Sequence, residues 1–280
     1  MTDLLNIAYV QPDIKWHNID GNLAMYSTML ANVCNTDLIV LPEMFATGFT
    51  NQIEGTAQPM DGPAVKWMQQ TAASKNTAIM GSLLIADNGL YYNRMLIAYP
   101  DGRIDKYDKR HLFRMGFEND SLTPGSDIKI FEYQGWRIRP IVCYDLRFPV
   151  WLRNTGNSYD LLVCVANWPT ARHNVFEPLL RARSIENQCY TVGVNRVGTD
   201  GLNIAYSGGS TVIDIYGNVI SHLPEGQSGI GQTSVSLTKL NAFREKFPTI
   251  LDADEFVIKN AENNTNDNVN ENKRDLRRKV

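Results

Sequence analysis

The chain has 280 residues, 43% hydrophobic and 10% aromatic, with a formal net charge of -3. That length is near the upper limit for one hydrophobic core, and the composition fits a packed globular protein rather than a disordered or fibrous one. A weakly negative charge gives no broad basic field for nucleic acid, and no apolar run is long enough to span a bilayer, so the expected partner is a small molecule or another protein.

The opening residues MTDLLNIAYVQPD lack a basic segment followed by an apolar one, and a cytoplasmic protein is expected. Four cysteines, Cys34, Cys143, Cys164 and Cys189, lie far apart without a C-x-x-C pair. That spacing predicts free thiols in a reducing compartment rather than a disulfide framework or a thiolate zinc site.

In chain order, short apolar runs alternate with helical patterns, which predicts α/β layering in one domain. LLNIAYVQ (4–11) reads as a strand, Gly21 to Cys34 as an amphipathic helix, and DLIVLPE (37–43) as a strand buried on both faces. PAVKWMQQTAASK (63–75) is helical. TAIMGSLLI and LYYNRMLIAYP flank Asn88-Gly89, a hairpin signal, and Asp101-Gly102 turns the chain into RIDKYDK. WRIRPIVCYD and YDLLVCVANWP are strands separated by a short helix at PVWLRN. From Arg172 to Asn187 a helix brings Phe176, Leu179, Leu180 and Ile185 near one face and leads into CYTVGVNRV. Turns at Tyr216-Gly217-Asn218 and Pro224-Glu225-Gly226 link the later strands. The domain is expected to span 1–258; beyond it, the Asn-rich polar stretch 259–280 reads as a flexible tail.

Three reactive residues stand where predicted strands end: Glu43 after DLIVLP, Lys109 after GRIDKYD, and Cys143 inside RPIVCYDLRFP (139–149). The carboxyl ends of parallel strands are where ligands bind, because loops converge there with free backbone groups. An ordinary thiol is only a few per cent ionised at neutral pH and needs a base or a neighbouring cation. Glu43 is a candidate base; Lys109 and the amide after Cys143 are candidate oxyanion donors, a set able to cleave an amide. Each residue also has a plainer reading: an apolar-strand cysteine is often filler, Glu43 can cap a turn, and Lys109 sits in a charged run.

Taken together, LPEMFATGF, DKRHLF and VCYDLRFP resemble the three motifs of the nitrilase, or carbon-nitrogen hydrolase, superfamily, and NQCYTVGVNRVG and YSGGSTVIDIYGNVI are similar to its later strands. The resemblance covers about residues 4–258. It implies an α-β-β-α sandwich and a Glu-Lys-Cys triad without cofactor or metal: Cys143 attacks, Glu43 is the general base, and Lys109 stabilises the intermediate. It also implies that Glu118, before Thr123-Pro124-Gly125, holds Lys109 and orients the substrate. The Tyr144 amide is then exposed for the oxyanion. Arg147 either clamps a substrate carboxylate or pairs with Asp145 or another acid.

Cys143-Tyr144-Asp145 is unlike the Cys-Trp-Glu of true nitrilases and resembles the amidase branches. HLFRMGFE, NWP (167–169), RARSIENQ and REKFPTILDADEF are similar to bacterial omega-amidases, implying omega-monoamides of short dicarboxylic 2-oxo acids as substrates; deaminated glutathione amidase is the alternative. Phe45 and Trp168 either wall the pocket or belong to the core. The family commonly dimerises, which here points to Val150-Trp151-Leu152 and the 172–187 helix. A Cys-His hydrolase would need His17, His111, His173 or His222 beside the thiol; no G-x-S-x-G elbow or H-E-x-x-H motif is present. A scaffold of the same fold without activity is the non-enzyme reading.

Overall fold

The computed structural model describes residues 3–258; the segment read as a tail lies outside the described residues. Strands β1 (Leu4–Gln11), β2 (Leu38–Val40), β3 (Ala78–Asp87), β4 (Leu90–Ala98) and β5 (Ile104–Asp108) build a first sheet. A second sheet holds β6 (Phe131–Tyr133), β7 (Trp136–Val142), β8 (Leu161–Val165) and β9 (Tyr190–Val194). After a ribbon of β10 (Val197–Thr199) and β11 (Ala205–Ser207), that sheet is extended by β12 (Thr211–Ile213) and β13 (Val219–His222). Finally β14 (Gly229–Ser236) returns to the first sheet, antiparallel to β1 from Leu4↔Ser236 to Gln11↔Gly229. Both sheets are parallel at their centres, β1-β2-β3 and β7-β8-β9, with antiparallel strands outside.

Alternation along the strands assigns the layers. Leu5, Ile7 and Tyr9 of β1 join the core between the sheets, where they meet Ile138, Ile141 and Val163. Ala8 and Val10 face the other way, under α1 (Ile19–Leu30) and α2 (Pro63–Lys75), which contribute Leu23, Tyr26, Val65 and Met68. Two short helices follow, α3 (Glu118–Ser121) and α4 (Pro149–Leu152), and α5 (Phe176–Asn187) covers the second sheet so closely that a Cβ on Gly193 of β9 would collide with Leu180. The last helix is α6 (Leu237–Lys246). Helices outside and two sheets inside give the expected α-β-β-α sandwich.

Departures from the sequence expectations have local causes. The first helix begins at Ile19 rather than Gly21 because Asn18 caps it, accepting from the Gly21 N–H at 2.9 Å. The 172–187 stretch opens as a 3-10 turn, Thr170–Val175, and becomes α-helical only at Phe176. Ile185 is 56% exposed, whereas Arg183 is buried with its guanidinium donating to the Leu146 carbonyl. The inner face of α5 is therefore set by a backbone acceptor as well as by apolar residues. Nor does β14 advertise itself: GIGQTSVS has two glycines and few apolar residues, and its pairing with β1 makes it a strand.

Candidate active site

Because β5 runs parallel to β3 through two antiparallel steps, the carboxyl ends of β2, β5 and β7 deliver their following residues to one cleft. Lys109 follows β5 directly. Its Nζ lies 2.9 Å from Glu43 Oε1 and 2.8 Å from Glu118 Oε2, and all three side chains are shielded from solvent. Glu118, at the start of α3, also accepts from the Phe113 N–H at 2.7 Å. The Thr123-Pro124-Gly125 segment is drawn against Lys109 by the Gly125 N–H, 2.9 Å from the Lys109 carbonyl oxygen. Only glycine allows that approach, since a Cβ there would collide with the Asp108 carbonyl.

Two asparagines lock the acids. Asn93 of β4 donates from Nδ2 to Glu43 Oε1 at 2.8 Å and to Glu118 Oε1 at 2.9 Å, while its Oδ1 accepts from Ser82. Ser82 in turn accepts from the Met44 N–H, so the turn that carries Glu43 is fixed from both ends. Asn167, just beyond β8, donates its backbone N–H to Glu43 Oε2 at 2.8 Å and its side-chain amide to the Glu43 carbonyl at 2.6 Å. Its own carbonyl oxygen stands 4.0 Å from Cys143 Sγ.

Cys143 turns the chain sharply out of β7. It has φ of +45° and opens a 3-10 turn over Cys143–Arg147. A left-handed conformation costs a non-glycine residue about 1–2 kcal/mol, and the surroundings hold it there. Asp145 Oδ2 accepts from Val142 N–H at 3.1 Å and from the Tyr107 hydroxyl at 2.8 Å, its Oδ1 accepts from His111 N–H, and Arg183 grips the Leu146 carbonyl from behind. The Tyr144 N–H is the second of this turn, where a helical N–H has no acceptor within its own helix.

The cleft encloses about 370 Å³ of empty space, part of it open to solvent. Glu43, Lys109, Cys143 and Asn167 line one part of it; Tyr144, Arg147, Trp168, Phe49, Phe113 and Arg172 line the rest. Arg147 stacks over the Trp168 ring, 4.9 Å from guanidinium carbon to centroid, and forms no ion pair with Asp145, which is occupied by His111, Tyr107 and Val142. Among the described residues no other acid pairs with Arg147 either, so the ion-pair reading is not the arrangement present.

Charge in the site is tightly coupled. Burial opposes ionisation of Lys109, but the Glu118 and Glu43 carboxylates outweigh it and raise its pKa well above the ordinary value. Burial, and then the nearby Glu43 charge, raise Glu118, with Lys109 pulling the other way. The Cys143 thiol is pushed well above its usual value by burial and then by Glu43, only partly countered by Lys109. These shifts favour a thiol that keeps its proton beside a charged Lys109 ammonium.

Phe45 requires a correction. It is fully buried on the helix side of the first sheet, edge-on to Tyr26 at 5.5 Å and packed against Trp67 and the Cβ-less surface of Gly81, and it lines no part of the cleft. The side chain two positions after Glu43 is turned away by the left-handed Met44, and Phe49, four residues further on, reaches the cleft instead. No histidine lines the cleft: His111 bonds Asp145 and His173 bonds Glu225. Asn93, Asn167, Phe49, Phe113 and Arg172 were not anticipated. Asn167 was within reach, since it stands two residues past β8 much as Cys143 stands directly after β7.

Known proteins share this chain's sequence and fold. A family model described as carbon-nitrogen hydrolase matches residues 6–245. The chain is 41% identical over 254 residues to omega-amidase YafV of Yersinia enterocolitica, covering 91% of this chain and 98% of the relative. It is 34% identical over 224 residues to 2-oxoglutaramate amidase of Bacillus subtilis, covering 78% and 85%. Among solved structures, XC1258 from Xanthomonas campestris, a CN-hydrolase superfamily protein with an arsenic adduct in its active site, superposes with a TM-score of 0.90 at 42% identity, covering 92% of this chain and all of that one.

Proposed function

The chain belongs to the carbon-nitrogen hydrolase family, and from that premise we propose that it is an omega-amidase releasing ammonia from omega-monoamides of short dicarboxylic 2-oxo acids, 2-oxoglutaramate foremost. The observation that carries this reading is a cleft with Lys109 clamped between two buried acids at its foot, a thiol beside them, and a free arginine facing them. A neutral amide fits the first region and a carboxylate the second.

In this mechanism the Cys143 sulfur attacks the amide carbon while Glu43 takes the thiol proton. The oxygen, gaining charge, is met by the Lys109 ammonium and the Tyr144 N–H. Collapse of the tetrahedral intermediate breaks the carbon-nitrogen bond, and Glu43 returns the proton to the departing ammonia. Glu43 then removes a proton from water, which attacks the thioester and frees the acid and the thiol. Glu118 and Asn93 keep Lys109 and Glu43 in register. Arg147 holds the distal carboxylate, and Trp168, beneath that guanidinium, walls the site.

Purified protein is expected to release ammonia quickly from 2-oxoglutaramate and slowly from deaminated glutathione and a simple nitrile, and Cys143→Ala to abolish release while folding normally. Fast turnover of deaminated glutathione alone would move the protein to that branch; activity retained in the alanine variant would remove the mechanism. We also infer a single catalytic domain and a homodimer joined through α4 and α5, since Val150 of α4, Phe256 and Val257 expose apolar surface around one groove that Glu186 of α5 also lines. A monomer mass in light scattering would refute the dimer. No helix among the described residues is long and apolar enough to cross a membrane, and four free thiols fit a reducing cytoplasm.

A further inference from the structure

We propose that Arg172 is a second, specificity-determining guanidinium of the substrate site, which together with Arg147 recognises the 2-oxocarboxylate end; the inference rests on the omega-amidase reading above. Three observations converge on it. Arg172 lines the same cleft as Cys143 and Glu43. Its guanidinium lies over the face of Phe113, 5.1 Å from the centroid, as that of Arg147 lies over Trp168. Among the described residues neither guanidinium has a carboxylate partner, although every other buried or half-buried cation around the cleft is engaged: Lys109 by two glutamates, Arg183 by Leu146 and Glu186.

The backbone is arranged to aim this side chain. Arg172 breaks the 3-10 turn that precedes α5, with φ of -123° and ψ of 16°, and its carbonyl is held by the Trp168 indole N–H at 2.7 Å. Trp168 therefore bears both arginines, one over its ring and one through its N–H. The cleft is thus lined by an acid, an ammonium and a thiol together with two guanidiniums that have no acidic partner, each set over an aromatic ring.

One guanidinium satisfies one carboxylate in bidentate fashion. A second, left without an acid, calls for further acceptors, and a 2-oxo acid offers them on the adjoining carbon in nearly the same plane. An omega-amide lacking the 2-oxo oxygen would leave part of this donor set unmatched, and one lacking the carboxylate would leave two desolvated cations unpaired.

The test is steady-state ammonia release from 2-oxoglutaramate, from glutaramate, which lacks the oxo oxygen, and from butyramide, which lacks oxo and carboxylate. Arg172→Met should raise KM for 2-oxoglutaramate about tenfold to a hundredfold, the scale of a lost charge-assisted hydrogen bond. The preference for 2-oxoglutaramate over butyramide in kcat/KM should fall to match, and Arg172→Lys should recover part of it. Should Arg172→Met not fold, Phe113→Leu, which removes the ring beneath the guanidinium, is expected to move KM in the same direction by a smaller factor. A KM within about twofold of the parent, or an equal loss on all three amides, would overturn the role. Parent protein inert on 2-oxoglutaramate but active on another amide would overturn the functional reading, and Arg172 with it.

Discussion

Asn167 holds Glu43 at both ends, its backbone N–H 2.8 Å from the carboxylate and its side-chain amide 2.6 Å from the main-chain carbonyl. In the proposed mechanism Glu43 accepts a thiol proton and later a water proton, which requires one orientation through both steps, and this double tether from the neighbouring sheet supplies it. Asn167→Ala leaves the backbone contact and removes the other. The expected result is a loss of about tenfold in kcat, near 1.4 kcal/mol, with a smaller change in KM. Steady-state kinetics decide it, and a change confined to KM would make Asn167 a binding residue instead.

Lys109 balances two carboxylates with no solvent access. Replacing it by Met leaves them buried without a counter-charge, so Lys109→Met should destabilise the fold by about 3–5 kcal/mol and abolish turnover. Adding Glu118→Gln removes one of the unpaired acids and should restore part of the stability but none of the activity. Urea denaturation of both variants tests this; equal stabilities would show that Glu118 carries no charge in the single variant.

Glu118 also predicts a pH effect. Burial, followed by the Glu43 charge, raises its pKa above the ordinary 4.5 despite Lys109. The folded protein therefore binds this proton more tightly than the unfolded chain. The associated stabilisation is full below the unfolded value and is lost as pH rises through the raised folded value. Glu118→Gln cannot titrate, so as pH rises from the ordinary carboxylate range through the raised folded value the stability of the variant relative to the parent should increase. Parallel stability curves for the two proteins would contradict the shift.

Cys143 should not behave as a preformed thiolate, because burial and Glu43 both hold its proton. Iodoacetamide labelling of Cys143 at pH 7 should need Glu43 to take the proton as the sulfur attacks, a contribution that outweighs the relief of its repelling charge, and so drop about tenfold or more in Glu43→Gln, the low end of a general-base contribution, then recover as pH is raised. Labelling of the exposed Cys34 should be the same in both proteins. Peptide mapping by mass spectrometry reads both sites together; Cys143 labelling that is rapid and independent of pH down to about 6 would mean a stable thiolate at rest.

The α/β layering, the hairpin at Asn88-Gly89, the 63–75 helix and the strand-end positions of Glu43, Lys109 and Cys143 follow from periodicity and turn chemistry, which act over a few residues. The motifs around those three residues, with the branch marked by Cys143-Tyr144-Asp145, likewise lie along the chain. Sequence by itself thus determined the layer type, the family and the three polar residues that the fold brings to one cleft. Tertiary structure decided which neighbours complete them. Asn93 and Asn167 act on Glu43 from 50 and 124 residues away, and Arg172 and Arg147 come to line one cleft. Phe45 turned to the core because a left-handed Met44 reversed its direction. Such relations depend on how two sheets stack and where a backbone turns, and a linear pattern carries no term for either.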